Sequence, residues 1–272
     1  MSVNPQDAAF VRELVQKRSA ITIDVAKDYL ISMRLTQAAR DNGFASILDL
    51  VEKARQGDKA ANTSIIEAIT THETSFFRDL QPFETLTKVI LPKFIAAGAP
   101  VRPINIWCGA CSSGQEPYSI AMLMLEKFPT LAAQSVRIVA TDLSAQVLAK
   151  ASKGEFSQLE INRGLPAAML VKYFDRRGMS WQVKPAVKRL VEFRQLNLID
   201  PWVISPKPDI VFLRNVLIYF ELQTRRTILD RVRSQLAPGG ALFLGAAEST
   251  LNVAEGWERI VIEKYTYYKV QT

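Results

Sequence analysis

The chain has one histidine, His72, and two cysteines, Cys108 and Cys111, among 272 residues. Each scarcity excludes a chemistry. A lone histidine, with the two cysteines beside a glycine loop, cannot complete a usual zinc set, so no metal is expected. Two cysteines three positions apart do not make the disulfide framework of a small secreted domain. Long apolar runs are missing too, and no stretch is long enough to span a bilayer. Met1 to Phe10 lacks the charged-then-apolar pattern of a signal peptide, so the expected location is the cytoplasm.

The composition that remains is that of a globular chain, 48% hydrophobic, able to bury one large or two modest domains. The formal net charge of +7 is unevenly spread, for residues 151–195 hold nine basic and four acidic side chains. Arg176, Arg177, Lys184, Lys188 and Arg189 belong to this patch. It reads either as a solvated face or as a surface for an acidic partner.

The most informative stretch runs from Ile104 to Met124. Ile104 and Ile106 begin a short apolar strand, Gly109 to Gly114 is a loop of small residues, and Ile120, Leu123 and Met124 have helical spacing. Small residues let a backbone approach a bound molecule closely, and free amides at the helix start favour negative charge. Asp142 ends a second strand-like run, Val136 to Ala140, where an acidic residue binds ribose hydroxyls in nucleotide folds.

Residues 1–88 read as a helical unit with its linker. Phe10, Val11, Leu14 and Val15 pattern a first helix, and Asp24 caps a second carrying Tyr29, Leu30, Met33 and Leu35 until Asn42-Gly43. Shorter helical patterns follow at Ile47 to Ala54 and Ile65 to Ile69. Lys27 and Arg34 fall on nearly one face of the second helix, with Arg40 beyond them, either as ordinary solvation or for contact with an acidic helix. In the connecting stretch 70–80, Arg78 follows Phe76 and Phe77, as a surface cation or as a guanidinium held against a carboxylate.

From about residue 101 strands and helices alternate, the pattern of a mostly parallel sheet covered on both faces. Strands are expected near Ile104–Cys108, Val136–Asp142, Leu190–Leu196, Asp209–Arg214 and Ala241–Ala246, a helix over Arg225 to Leu236, and two antiparallel strands within Arg259 to Val270. Ligands of such sheets bind beyond the carboxyl ends of the strands. The loop after Trp107, Asp142, Asn197-Leu198 and Arg214-Asn215 all lie there.

Taken together, Thr74-Ser75-Phe76-Phe77-Arg78, the loop Cys111 to Ser119, Thr141-Asp142, Phe193 through Asn197-Leu198, and Arg214 to Phe220 resemble the chemotaxis receptor glutamate methyltransferases, the CheR family. The motifs keep that family's order and spacing, and the resemblance covers roughly residues 15–268. It implies an all-α, receptor-contacting N-terminal domain over 1–88, followed over 89–272 by an α/β, Rossmann-like S-adenosylmethionine-dependent methyltransferase domain. A small antiparallel β-subdomain is inserted at about 151–192. The family's cofactor contacts fall on His72, Thr74, Arg78, Glu116, Asp142, Asn197, Leu198, Arg214 and Asn215. His72 stands where asparagine is frequent, and Gln115 where glutamate is.

The implied reaction is methyl transfer to the γ-carboxylate of glutamates on a chemoreceptor's cytoplasmic helices, with S-adenosylhomocysteine as product. Arg78 and Tyr219 are the candidates for holding the substrate carboxylate. The resemblance also implies a monomer with no nucleic acid partner and no membrane insertion. Some members dock a receptor's C-terminal peptide on the β-subdomain through a longer, glycine-rich loop. The short Arg176-to-Val183 stretch fits a member without that tether. Three other readings compete. Trp107-Cys108-Gly109-Ala110-Cys111 resembles a thiol redox motif, Asp200-Pro201-Trp202 faintly resembles an amino-methyltransferase motif of nucleic-acid enzymes, and a non-catalytic scaffold would share the same shape.

Overall fold

The computed structural model describes residues 3–96 and 103–271, so Met1 and Ser2 of the N-terminal stretch lie outside it. Contacts divide the chain into two units, one of Met1–Thr71 with Tyr219–Thr224 and one of His72–Ile218 with Arg225–Thr272.

The smaller unit is built on α1 (Pro5–Ser19), α2 (Asp28–Asp41), α3 (Ile47–Arg55) and α4 (Lys59–Ile69). The starts of α1, α3 and α4 are capped by short polar side chains. The Asn4 side chain accepts from Asp7 N, Ser46 from Asp49 N and Asp58 from Ala61 N, satisfying amides that have no partner within their helices. Val11, Val15, Ile31, Leu35, Leu50 and Ile65 are fully buried at helical spacings and form the core with their neighbours. Each contributes about 1.5–3 kcal/mol of burial. Asp24 caps a short 3-10 turn, Val25–Lys27, and not α2 itself, which begins at Asp28. Lys27 therefore precedes the helix. Arg34 is committed inside the unit, donating to Ile69 O and Thr71 Oγ1, whereas Arg40 stays exposed.

The larger unit holds a seven-stranded sheet. Its strands are β1 (Ile104–Gly109), β2 (Val136–Asp142), β6 (Val191–Gln195), β7 (Ile210–Leu213), β8 (Ala241–Leu244), β9 (Trp257–Ile262) and β10 (Tyr265–Val270), in the order β6-β2-β1-β7-β8-β10-β9. The first five run parallel, and β10 and β9 close the sheet antiparallel. All residues of β1, β7 and β8 are buried, as expected for parallel strands covered on both faces. The chain moves outward from β1 to β2 and β6 and then returns to β7 on the other side of β1. That reversal opens a crevice beyond the carboxyl ends of β1 and β7.

Between β2 and β6 the chain makes a separate three-stranded antiparallel sheet, β3 (Glu155–Ser157), β4 (Phe174–Arg177) and β5 (Ser180–Val183), in the order β3-β5-β4. Phe76 packs edge-on against Phe156 and Phe174 of this sheet, with centroids 5.0 and 5.7 Å apart. Phe83 stacks on Phe212, and Phe212 on Phe243. These contacts go with the grouping of residues 72–88, the linker end of the 1–88 stretch, in the larger unit. No helix among the described residues is long and apolar enough to cross a membrane.

Candidate functional site

The floor of the crevice is the loop after β1. Gly109 has no room for a side chain, since a Cβ there would lie 2.8 Å from Leu213 Cδ1 on the neighbouring strand. Ala110 and Ser112 then adopt left-handed backbone (φ 55° and 50°), costing about 1–2 kcal/mol each for residues bearing a Cβ. The surroundings hold them there. Cys111 N donates to Thr141 O (2.9 Å), and Ser112 N donates to Asp142 Oδ2 (2.8 Å). Gly114, at φ 94°, turns the chain into the helix Gln115–Lys127, whose first turn carries Glu116. Helical spacing marks only Ile120, Leu123 and Met124, but the helix starts more than a turn before them, because Gly114 O already accepts from Tyr118 N.

Asp142 is buried at the end of β2, and its second oxygen accepts from Ser144 N at 3.0 Å. These amide bonds fix the direction in which the carboxylate faces, and an ionised carboxylate offers about four acceptor positions in all.

Opposite the loop, residues 72–80 form an irregular strap pinned along its length. Ser112 Oγ donates to His72 O (2.9 Å), Phe76 N donates to Arg163 O (3.2 Å), and Phe77 N donates to Ser119 Oγ (3.0 Å). Phe77 and Asp79 are both left-handed, at φ 52° and 54°, and Phe76 and Phe77 are both buried. Thr74 is half-buried within it, and Arg78 Nη1 donates to Glu73 O at 3.0 Å.

Arg214 joins the two sides. Its side chain, only 2% exposed, donates from Nη1 to Glu116 Oε2 (2.7 Å) and from Nη2 to Asp79 Oδ2 (3.0 Å) and Arg78 O (2.8 Å). The guanidinium also lies over the Phe83 ring. Burial pushes the Glu116 carboxyl above its ordinary range, against the opposing pull of Arg214 and then of Arg78. Among the described residues, two buried nitrogens have no hydrogen-bond partner here, Arg214 Nε and His72 Nε2.

Asn197 and Leu198 follow β6. Leu198 is buried, and its carbonyl accepts from Trp202 Nε1 (3.1 Å) and Arg231 Nη1 (3.3 Å). Trp202, of the Asp200-Pro201-Trp202 stretch, packs its ring against Trp107 at 4.8 Å. Asn215, left-handed at φ 59°, donates from its main chain to Glu248 Oε2 (2.8 Å). Tyr219 closes the 3-10 turn Leu217–Tyr219 four positions on, where the chain passes into the smaller unit, and its carbonyl accepts from Thr22 N.

The structure thus brings Glu116, Arg78 and Arg214 into one hydrogen-bonded group and ties His72 and Asp142 to the same loop. Sequence reasoning missed Asp79 and Glu248. Asp79 had a signal, its place beside Arg78; Glu248 had none, for three of the four main-chain groups it pairs with, those of Asn215, Val216 and Leu217, are distant in sequence. The thiols of Cys108 and Cys111 are fully buried and unpaired with each other, and burial raises both well above the ordinary thiol value. A redox nucleophile needs exposure and a lowered value, so the thiol reading fails.

The family model described as "CheR methyltransferase, SAM binding domain" matches residues 72–266. The chain belongs to the CheR methyltransferase family. It is 40% identical to chemotaxis protein methyltransferase 1 of Pseudomonas aeruginosa over all of both chains. It is 40% identical to chemotaxis protein methyltransferase Cher2 of Pseudomonas putida over 96% of each, and 37% identical to the chemotaxis protein methyltransferase of Vibrio parahaemolyticus over 100% of this chain and 99% of that one. This CheR enzyme is therefore an S-adenosylmethionine-dependent protein methyltransferase of chemotaxis. No group of three or more metal-ligating side chains occurs among its described residues.

Proposed function

We propose that the enzyme methylates the γ-carboxylate of specific glutamates on the cytoplasmic helices of chemoreceptors, giving glutamate methyl esters and S-adenosylhomocysteine. The observation that carries the site assignment is the Arg214 clamp, which holds Glu116, Asp79 and the Arg78 carbonyl around the switch point of the sheet. The names of the relatives, all chemotaxis methyltransferases, support the receptor as substrate.

The residues present fit S-adenosylmethionine. Asp142 offers acceptors for ribose hydroxyls, Asn197 and Leu198 an edge and a face for adenine, and the unpartnered Arg214 Nε a buried donor for a carboxylate. His72, Thr74, Arg78, Glu116 and Asn215 complete the contacts. When bound, the cofactor supplies an electrophilic methyl group on a sulfonium. A glutamate with a reference pKa of about 4.3 is already ionised at neutral pH, so the chain need supply no general base. One C–O bond forms, one C–S bond breaks, and no proton moves. The work left to the protein is alignment and partial removal of water from the nucleophile, which we assign to Arg78 and Tyr219.

The smaller unit, with Lys27 and Arg40 exposed on and just before α2, is the receptor-contacting domain. The enzyme works as a cytoplasmic monomer. Only Gly178 and Met179 separate β4 from β5, and so short a turn fits an enzyme independent of a receptor's C-terminal tether. Incubating the protein with labelled S-adenosylmethionine and a receptor cytoplasmic fragment should give label that base releases as methanol. Label absent, or stable to base, would rule out glutamate esters.

A further inference from the structure

Glu248 lies three residues beyond Gly245, which directly follows β8, and its carboxylate collects four main-chain N–H groups. Oε2 accepts from Gly245 N (2.6 Å) and Asn215 N (2.8 Å), and Oε1 accepts from Val216 N (2.8 Å) and Leu217 N (2.7 Å). Glu248 N donates back to Gly245 O at 2.9 Å, closing its own turn. Each carboxylate oxygen has room for two such donors, so these four bonds use the capacity of the group. Glu248 is thereby unsuited to grip a ligand. It occupies, from within the protein, the kind of concave row of amides that binds anions elsewhere.

The placement is specific. The row of amides begins at Asn215, held left-handed at φ 59° immediately after Arg214. On the far side the fit has no slack, because a Cβ on Gly245 would stand 2.7 Å from both Asn215 Nδ2 and Glu248 Oε2. A neutral amide in place of Glu248 would turn donors toward donors and leave buried N–H groups unpaired. A role in general packing would not need the charge, nor place a bond on the main chain of Asn215, directly after the Arg214 clamp.

We propose that Glu248 is a positioning residue for methyl transfer: its carboxylate sets the left-handed backbone of Asn215 and so the direction in which Asn215 and Arg214 face the cofactor. The inference rests on the assignment of those two residues to the S-adenosylmethionine site. Glu248 itself touches neither cofactor nor substrate.

Two variants approach the junction from opposite sides. Glu248→Gln keeps the shape and removes the charge, and Gly245→Ala keeps the charge and crowds Asn215. For each, the melting temperature of the ligand-free protein, the affinity for S-adenosylhomocysteine by calorimetry, and kcat and KM for S-adenosylmethionine are measured. Both variants should weaken S-adenosylhomocysteine binding and raise KM by about tenfold or more, the scale of one hydrogen bond to a charged group, with a smaller change in kcat. If Glu248→Gln does not fold, Gly245→Ala carries the test. Lower melting temperatures with wild-type affinity and KM would overturn the proposal by making Glu248 a fold-holding residue only, as would loss of the folded state in both. Failure of the wild type to bind S-adenosylhomocysteine would remove the cofactor site and this role with it, whereas wild-type binding with unchanged variants removes this role alone.

Discussion

Arg214 Nη1 stands 2.7 Å from Glu116 Oε2, and both side chains are shielded from water, at 2% and 13% exposure. The pair links the end of β7 to the first turn of the helix after β1, across the point where the strand order reverses. Breaking such a pair from one side is more damaging than replacing it whole, because the surviving charge is stranded.

Arg214→Met should therefore destabilise the protein by about 3–5 kcal/mol at neutral pH in urea titrations. The pH dependence has a definite sign. Glu116 already has a raised value, and loss of its partner raises it further. A group raised in the folded state contributes its stability below its unfolded value, about 4.5, and loses it as pH rises through the folded one. The gap between wild type and variant should thus widen from pH 4 toward pH 7. A gap of constant size would show that Glu116 does not feel the loss.

Glu192 on β6 gives a prediction of the opposite sign. The Arg194 and Arg137 guanidiniums bonded to it hold its carboxyl down to about 2, from an ordinary 4.5. Its stabilisation is present above pH 4.5 and fades as pH falls toward 2. The carboxylate is 44% exposed, so solvent screens the effect and it should be small. Glu192→Gln should melt slightly below wild type at pH 6, and the two curves should converge near pH 2.

Cys108 and Cys111 are fully buried thiols with raised values, so the folded protein should react slowly with iodoacetamide at pH 8 and quickly once unfolded in guanidinium. The Cys108→Ser, Cys111→Ser double variant should keep methyltransferase turnover. Abolished turnover with an unchanged melting temperature would restore a chemical role to the pair.

The elements were largely legible because periodicity carries them. Val136–Asp142 has the bounds that its apolar run indicates, and β1 exceeds its expected span by only Gly109. Asp142 could be proposed as a site residue because an acidic group at a strand's carboxyl end, after a small-residue loop, already has a chemical role. What stayed hidden depends on tertiary pairing. Nothing local marks Ala110 or Ser112 as left-handed, since hydrogen bonds from the loop amides to Thr141 O and Asp142 Oδ2 hold it. The strap from His72 to Leu80 looks like a linker, yet Phe76, Phe77 and the Arg214 clamp fix it to the sheet's unit. Glu248 sits among small residues with no periodic signal, and only the folded chain brings Asn215, Val216 and Leu217 to it.

Arg78 and Tyr219 were assigned the substrate carboxylate, and their unequal chemistry separates them. A carboxylate nucleophile held too tightly loses reactivity, so the useful contact is one that orients without full charge neutralisation. Arg78 has one nitrogen tied to Glu73 O at 3.0 Å, which fixes its side chain and leaves a guanidinium with further donors. Arg78→Ala removes both charge and orientation and should lower kcat/KM for the receptor fragment by roughly 100-fold, the scale of a misplaced reacting group. Tyr219→Phe removes one hydroxyl and should cost no more than about tenfold. Arg78→Lys separates orientation from charge: a point charge without the planar fork should recover little of the loss. Single-turnover rates with saturating S-adenosylmethionine read the chemical step directly. Wild-type rates in both Arg78→Ala and Tyr219→Phe would remove the assignment, and full recovery in Arg78→Lys would reduce Arg78 to an electrostatic contact.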